Sequence, residues 1–492
     1  MKKYVLELIV FICGAAVMVL ELIGSRVLAP YLGTSIFVWT SLIGIILGSL
    51  SLGYYYGGRI SDKYPDYKIF SLIIFLSAVC VTFIALLKFL FLTFLMGQVE
   101  DIKAGSVIAA TVLFAPPSIL LGMVSPYAVK LKIKDLAGSG STVGNLYAIS
   151  TVGSIAGTFL AGFWLIPQFG NTAILYGIAV VLLGTSILVY ARGPLLIKAA
   201  ILILIMGGMA GHLELKKALA DNGVLDIDTQ YSRVLIFNGS DYKTNRPVKY
   251  MQCDTNSNSA MFLDSGELVF EYTKYYDLAA HFKPDFKKSL MIGGAAYSYP
   301  KYYLKKYPNA EIDVVEIDPK LTELAKQYFD LRDNPRLRVY HQDGRIFLNK
   351  TENKYDIIFG DAFRSSHSIP YQLTTKESAQ AMYGILNDGG AVLINIISAI
   401  EGDKGKFLRA EYKTFKSVFP QVYLFYVQTG EALKSQNLML AALKSEEKPQ
   451  FANDDKQLNL FLHNLWTAEI TDDLPILTDE YAPVDNYIME LL

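Results

Sequence analysis

Ser289-Leu290-Met291-Ile292-Gly293-Gly294-Ala295-Ala296 is an apolar strand that breaks into small residues, and Ile312-Asp313-Val314-Val315-Glu316-Ile317-Asp318-Pro319 is a second strand ending in acid. A small-residue turn after a first strand lets the backbone come close to a nucleotide-bearing ligand. Glu316 stands 23 residues beyond Gly293, at a strand end where an acid can accept from both hydroxyls of a ribose. The third strand ends in Gln342-Asp343-Gly344-Arg345, where an acid can accept from an adenine amine. Tyr355-Asp356-Ile357-Ile358-Phe359-Gly360-Asp361 then puts Asp361 at a fourth carboxyl end, where open α/β sheets bind ligands. Any one of these acids, taken alone, reads as a helix cap or a solvated turn. Four elements at successive strand ends read together as a cofactor site. A dinucleotide site wants G-x-G-x-x-G, whereas Gly293 is followed by Ala295 and then by Tyr297 and Ser298.

Outward from this core, strands alternate with helical segments. The strands are Ser289–Ile292, Glu311–Glu316, Leu337–Tyr340, Tyr355–Phe359, Ala391–Ile396, Gln421–Tyr426 and Leu438–Ala442; the helices include Pro319–Phe329 and Thr374–Leu386. That alternation predicts a doubly wound, Rossmann-like α/β sheet over residues 283–492. Short β-type runs at Val234–Phe237 and Ser259–Leu263, separated by Gly and Asn turns, predict a small β-domain over 226–282. Residues 213–225 are polar and read as a linker or short helix.

The first 212 residues belong to another solvent. The 492-residue chain is 52% hydrophobic and only 18% charged, against roughly 25% charged in an average soluble chain, and the deficit lies before His212. Seven stretches approach the length of a bilayer-crossing helix: Tyr4–Ile23, Ile36–Tyr56, Ile69–Met96, Gly105–Met123, Val143–Ile166, Thr172–Tyr190 and Pro194–Gly211. This predicts a multi-pass α-helical membrane domain of about seven helices. Gly153, Gly157 and Ala161 form a small-xxx-small ladder suited to close helix packing. Glu7, Glu21 and Lys88 fall within or at the edge of spans; Glu21 has Arg26 as a nearby partner, and Lys88 can snorkel. Gly57-Gly58-Arg59-Ile60-Ser61-Asp62-Lys63 looks like a degenerate copy of a loop motif of major-facilitator transporters.

Net charge is −1, which leaves no basic field for nucleic acid. Cys13, Cys80 and Cys253 have neither disulfide nor zinc spacing, and no metal is expected. Lys2, Lys3, Arg59, Lys63, Lys68, Lys130, Lys132, Lys134, Arg192 and Lys198 fall at one side of the spans, with Arg26 and Lys103 opposite. The positive-inside rule therefore places the N-terminus in the cytoplasm.

The segments Thr229-Gln230-Tyr231-Ser232-Arg233-Val234, Leu263-Asp264-Ser265-Gly266, Glu271 with Tyr275-Tyr276-Asp277, Val314 to Pro319, Ile369-Pro370-Tyr371-Gln372-Leu373-Thr374-Thr375 and Thr478-Asp479-Glu480-Tyr481-Ala482-Pro483 resemble the spermidine synthase (polyamine aminopropyltransferase) family, and more closely its membrane-fused members. The resemblance covers about residues 226–490. It implies a methyltransferase-type sheet and an S-adenosylmethionine or decarboxylated S-adenosylmethionine cofactor. Gly293, Gly294 and Gly344 would lie against that cofactor, Glu316 would hold its ribose and Asp343 its adenine. Asp361 would be the catalytic group, beside the reacting amine. Tyr231, Asp264, Tyr276, Asp277, Arg364, Glu480 and Tyr481 would line the acceptor side. Three positions depart from the family's pattern. Ala296 or its neighbour stands where the family has an amine-holding aspartate, Arg364 where it has a second acid, and Tyr276 where it has histidine. An arginine there repels a dication.

A sulfonium-bound carbon is already electrophilic, so an enzyme need only place a neutral amine in line with it and take up the proton. The leading expectation is aminopropyl transfer to an amine. The alternatives are methyl transfer or fragmentation of S-adenosylmethionine, and a transporter or sensor whose soluble domain binds a nucleoside; the arginine also points to an acceptor other than a diamine, anionic or lipid-associated. A lipid bilayer, a small-molecule acceptor and a second copy in a homodimer are the expected partners. Seven spans with the N-terminus inside put the soluble domain outside, away from where adenosyl-sulfur compounds are made. The span count is the softest premise, with Pro116-Pro117 breaking the fourth stretch, and the expectation is a cytoplasmic catalytic domain.

Overall fold

The computed structural model describes residues 4–99, 101–133, 139–191, 195–254, 256–361 and 369–489. The chain divides into two compact units, Met1–Arg233 and Val234–Leu492.

In the first unit, seven helices among the described residues are long and apolar enough to cross a membrane: Val5–Leu32, Ile36–Lys63, Tyr67–Met96, Ile102–Lys132, Ser139–Gln168, Asn171–Val189 and Leu196–Asp221. All seven stretches of the sequence are thus continuous helices of sufficient length and apolarity. Pro116 and Pro117 lie inside the helix Ile102–Gly122, which continues as Val124–Lys132. The seventh helix runs past His212 to Asp221, so most of the polar stretch read as a linker or short helix is its last two turns. The Gly57–Lys63 motif is likewise the end of the second helix rather than a loop.

Glycines set the closest contacts in this unit. A Cβ added at Gly153 would collide with the backbone of Phe11, one at Gly157 with Ala15, and one at Gly14 with Ser150. The first and fifth spans therefore touch backbone to backbone, as small-xxx-small ladders allow. Gly53 and Gly57 press in the same way on Gly122 and Met123 of the fourth span. The charges within the spans are mostly neutralised locally. Lys132 pairs with Glu7 at 2.5 Å. The Lys88 ammonium donates to Thr172 Oγ1 at 2.8 Å. Lys198, buried, donates to Ser71 Oγ at 3.0 Å and to the Tyr190 carbonyl at 3.2 Å. Arg26 donates to the Thr229 carbonyl at 2.7 Å and to Asn171 Oδ1 at 3.3 Å. Strand β1 (Leu225–Asp228) follows the last helix.

The second unit opens with an antiparallel meander of β2 (Arg233–Ser240), β3 (Pro247–Cys253) and β4 (Asn256–Phe262). It continues into a seven-stranded sheet of β5 (Lys288–Ile292), β6 (Glu311–Val315), β7 (Leu337–Tyr340), β8 (Tyr355–Gly360), β9 (Leu386–Ser398), β10 (Gln421–Tyr426) and β11 (Gln436–Leu443). The order is β10-β11-β9-β8-β5-β6-β7. The strands from β9 through β8, β5 and β6 to β7 run parallel, while β10 and β11 pair antiparallel at the other edge. The sheet is mixed because only the last two strands follow each other without an intervening helix.

Period-two side-chain alternation builds the core. Leu290, Ile292, Ile358, Val392 and Ile394 pack on one face, and Met291, Ile357, Phe359, Ala391 and Leu393 on the other. Strands buried on both faces read as the near-continuous apolar runs that the sequence shows. The reversal of strand order falls beside β5, between β6 and β8, and opens a crevice at their carboxyl ends.

Candidate functional site

The turn after β5 has a conformation of its own. Gly293, Ala295 and Tyr297 have φ of 97°, 44° and 56°. The left-handed region suits glycine and strains the other two residues. What holds the turn is Glu316, at the end of β6. Its Oε2 accepts from the Gly294 and Ala295 amides, both at 2.9 Å, and its Oε1 from the Asp318 amide at 2.9 Å. The carboxyl is buried, and burial pushes its pKa up although the three amides pull it down. Gly294 has no room for a side chain, since a Cβ there would lie 2.8 Å from the Tyr297 ring.

Asp343 caps the helix Gly344–Lys350, its Oδ1 accepting from the Arg345 amide at 2.8 Å and the Ile346 amide at 3.1 Å. Its Oδ2 carries no partner among the described residues. A Cβ on Gly344 would sit 2.8 Å from Ile292 Cγ2, so that glycine lets the helix start close against β5.

Asp361 follows β8. Its amide donates to the Ile292 carbonyl at 2.9 Å, which ties the residue to the end of β5. Tyr272 donates to its Oδ2 at 3.1 Å, and Asn395 Nδ2 approaches its Oδ1 at 3.4 Å. Asn395 is itself held by the Asn437 amide, at 3.0 Å. No cation pairs with Asp361 among the described residues. Desolvation raises its pKa from 3.8 to about 6, against the lowering effect of Tyr272 and Asn395. Burial and the neighbouring carboxylate raise the Tyr272 phenol well above its ordinary value, so it stays a donor. Tyr276 is fully buried one turn along and donates to the Gly360 carbonyl at 3.0 Å; its ring meets that of Tyr272 edge-on. Two tyrosines thus anchor the end of β8.

Glu316, Asp343 and Asp361 therefore stand at the carboxyl ends of β6, β7 and β8, parallel strands of one sheet in which β5 lies between β8 and β6. The residues expected on the acceptor side scatter. Asp264 is exposed and held by both arms of Arg246, at 2.7 and 3.0 Å. Asp277 is buried and accepts from Tyr302, Lys306 and Tyr307 at 2.9, 2.8 and 2.9 Å. Both acids are already neutralised. Glu480 and Tyr481 are exposed at a turn closed by Thr478. Their neighbour Asp479 is the engaged acid, accepting from Arg345 and from Thr375, both at 2.7 Å. Tyr231 lies in the other unit, where its amide donates to Thr229 Oγ1 at 3.1 Å. Arg364 falls outside the described residues, as does the Ser-rich stretch after Asp361.

Two neighbours of Asp361 escape a reading by strand ends. Tyr272, not Tyr276, reaches the carboxylate. Asn395 carried a signal: it is the one polar residue in the run Val392-Leu393-Ile394-Asn395-Ile396-Ile397, and a buried amide needs partners.

Known proteins match the second unit and the end of the helix before it. Residues 217–453 match the spermine/spermidine synthase domain. A polyamine aminopropyltransferase of Vibrio vulnificus is 27% identical over 231 residues, 44% of this chain and 75% of the relative. A probable polyamine aminopropyl transferase of Bifidobacterium longum is 35% identical over 234 residues, 43% of this chain and 52% of the relative. The chain thus spans three quarters of the first relative's length and about half of the second's. A crystal structure of a probable spermidine synthase from Corynebacterium glutamicum aligns with a TM-score of 0.39 and 21% identity, over 46% of this chain and 81% of that one. Residues 217–453 are thus similar to the spermine/spermidine synthase domain, whose relatives are transferases, and the first six apolar helices lie ahead of the match.

Proposed function

We propose that the soluble unit transfers an aminopropyl group from decarboxylated S-adenosylmethionine to an amine and releases methylthioadenosine, in a protein held in a membrane by its N-terminal helices. Asp361 carries this reading. It is a half-buried carboxylate with only neutral donors on it, at the strand ends beside Glu316 and Asp343.

The donor supplies an activated carbon on a positively charged sulfur. The acceptor nitrogen forms a bond to that carbon, the carbon–sulfur bond breaks with its electrons passing to sulfur, and the surplus proton of the nitrogen goes to Asp361. Above about pH 6 that carboxylate is ionised and free to take it. Tyr272 and Asn395 fix one oxygen each, and each oxygen keeps a second lone pair. The residues present fit the nucleoside. Asp343 Oδ2 is open to an exocyclic amine, and Glu316 has three backbone donors on a group with about four lone-pair sites. Glu316 would share or exchange those amides for the ribose hydroxyls.

One observation favours a second reading, another reaction on S-adenosylmethionine. The acids that would anchor the second nitrogen of a diamine, Asp264 and Asp277, are bound by Arg246 and by Lys306 with two tyrosines. Putrescine is therefore expected to be a poor acceptor.

The test uses the full chain in detergent with decarboxylated or ordinary S-adenosylmethionine, with and without an amine panel, and separates the thio-nucleosides. Methylthioadenosine that requires an amine supports the proposal. Methylthioadenosine without an amine shows fragmentation, and S-adenosylhomocysteine shows methyl transfer. Tight cofactor binding with neither product makes the unit a binding module.

We assign the soluble unit to the cytoplasmic face, where adenosyl-sulfur compounds are made. With seven crossings this puts the N-terminus outside, against the loop charges, so the assignment rests on the substrate alone.

A further inference from the structure

We infer that Glu21, within the first span, is a proton-exchanging site of the membrane-spanning unit. Its place along the helix comes first. Glu21 lies about 24 Å from Val5 and about 16 Å from Leu32 at 1.5 Å per residue, well inside the span. It is half-buried.

Its direction follows from helical spacing. Glu7, Gly14 and Glu21 are seven residues apart, two turns with a drift of only about 20°, so they share a face. Gly14 meets the backbone of Ser150, which makes this the face toward the fifth span. The contacts Phe11 with Gly153 and Ala15 with Gly157 have the same offset, so the two helices run parallel. Carried onward, that offset sets Glu21 level with Ala161–Leu165, the π-helical turn of the fifth span, which packs on the first. Such turns disturb the ordinary backbone hydrogen bonding and recur at functional sites.

The simplest structural role for Glu21, an ion pair with Arg26, is not what the structure has. Arg26 donates to Asn171 and to the Thr229 and Gln230 carbonyls. Glu7, on the same face, does have its cation, Lys132. Among the described residues no donor or cation reaches Glu21. The helices packed on the first span carry most of their charges toward their ends: Arg59, Asp62 and Lys63 on the second, Lys68 on the third, Lys103, Lys130 and Lys132 on the fourth; Lys88, deeper in the third, donates to Thr172. The fifth and sixth spans carry none, and their titratable side chains are Tyr147 and Tyr176; Tyr54 to Tyr56 on the second, Tyr67 and Cys80 on the third, and Tyr127 on the fourth complete the set. A bare carboxylate in a span is expensive, and an intramembrane ionisable group marks function by default. Taking up one proton turns the carboxylate into a neutral acid, and releasing it restores the charge.

The experiment needs no substrate. The full chain in liposomes is treated with dicyclohexylcarbodiimide, which partitions into the bilayer and adds to protonated carboxyl groups, and the adduct is mapped by mass spectrometry. The expected result is an N-acylurea on Glu21 that forms several-fold faster at about pH 6 than at about pH 9, none on Glu7, and none at position 21 in Glu21→Gln. Because the adduct is mapped on the natural sequence, the result stands even where the variant folds badly. No adduct on Glu21 in intact protein, or equal rates at both pH values, overturns the inference. Suppression of labelling by sodium ion or by spermidine also overturns it, since the site would then take a cation rather than a proton.

Discussion

Replacing Asp361 by asparagine separates what this carboxylate does for the reaction from what it costs the fold. Its pKa rises from 3.8 in an ordinary setting to about 6 in the folded chain. A difference of about 2.2 units at about 1.36 kcal/mol per unit disfavours the ionised form by about 3 kcal/mol, an upper bound for a group that still touches solvent. The sign follows from linkage. A carboxyl whose folded pKa is raised contributes stability below its unfolded value, and that contribution is lost as pH rises through the folded value. The asparagine side chain in Asp361→Asn would be neutral at every pH and keep most of the shape, with the Tyr272 hydroxyl free to turn. The variant is thus expected to match the natural protein near pH 4 and to exceed its stability by about 1–3 kcal/mol near pH 8. Turnover falls roughly 10²–10⁴-fold, the usual worth of a general base, while cofactor affinity is kept. Thermal midpoints in detergent at the two pH values and the rate of thio-nucleoside release are the measurements. Near-normal turnover refutes the catalytic role, and a stability difference that does not change with pH refutes the electrostatic account.

Tyr272→Phe removes a donor that lowers the Asp361 pKa, so the acid limb of the pH–rate profile should move up by about one pH unit; an unmoved limb means that the hydrogen bond does not form in the working enzyme. Glu316→Ala strips the clamp from the Gly294 and Ala295 amides and should weaken cofactor binding by about 1.5–3 kcal/mol; calorimetry showing unchanged affinity in a folded variant removes Glu316 from the site. Gly153→Leu drives a side chain into the Phe11 backbone and should lower the thermal midpoint of the membrane unit, whereas the same change at Gly177, which has open space around it, should not; equal effects would mean that the first and fifth spans do not touch here. A reporter fused after Leu492 reads sidedness: green fluorescence places the soluble unit in the cytoplasm, and alkaline phosphatase activity places it outside and overturns the assignment.

Much of this protein is legible in order along the chain, because periodicity is a local property. Runs of about twenty apolar residues announce the spans, and strand runs followed by small or acidic residues announce β5, β6, β7 and β8 with Glu316, Asp343 and Asp361 at their ends. The ends of elements were harder to read. The seventh helix carries on to Asp221 through polar residues, because a helix leaving a membrane keeps its backbone bonds whatever its side chains are. The acceptor side was harder still. Asp264 and Asp277 look like free acids in a sequence, and only the fold shows Arg246 lying on one and Lys306 with two tyrosines on the other. Asn395 and Tyr272 come 34 and 89 residues from Asp361. Strand pairing and the packing of a short helical segment bring them within hydrogen-bond reach of it. The same holds for Glu21, whose apparent partner Arg26 turns instead toward Asn171 and Thr229, more than a hundred residues away. A sequence shows which residues can bear charge. Which of them is left without a counter-charge depends on long-range contacts, and so only the tertiary structure decides it.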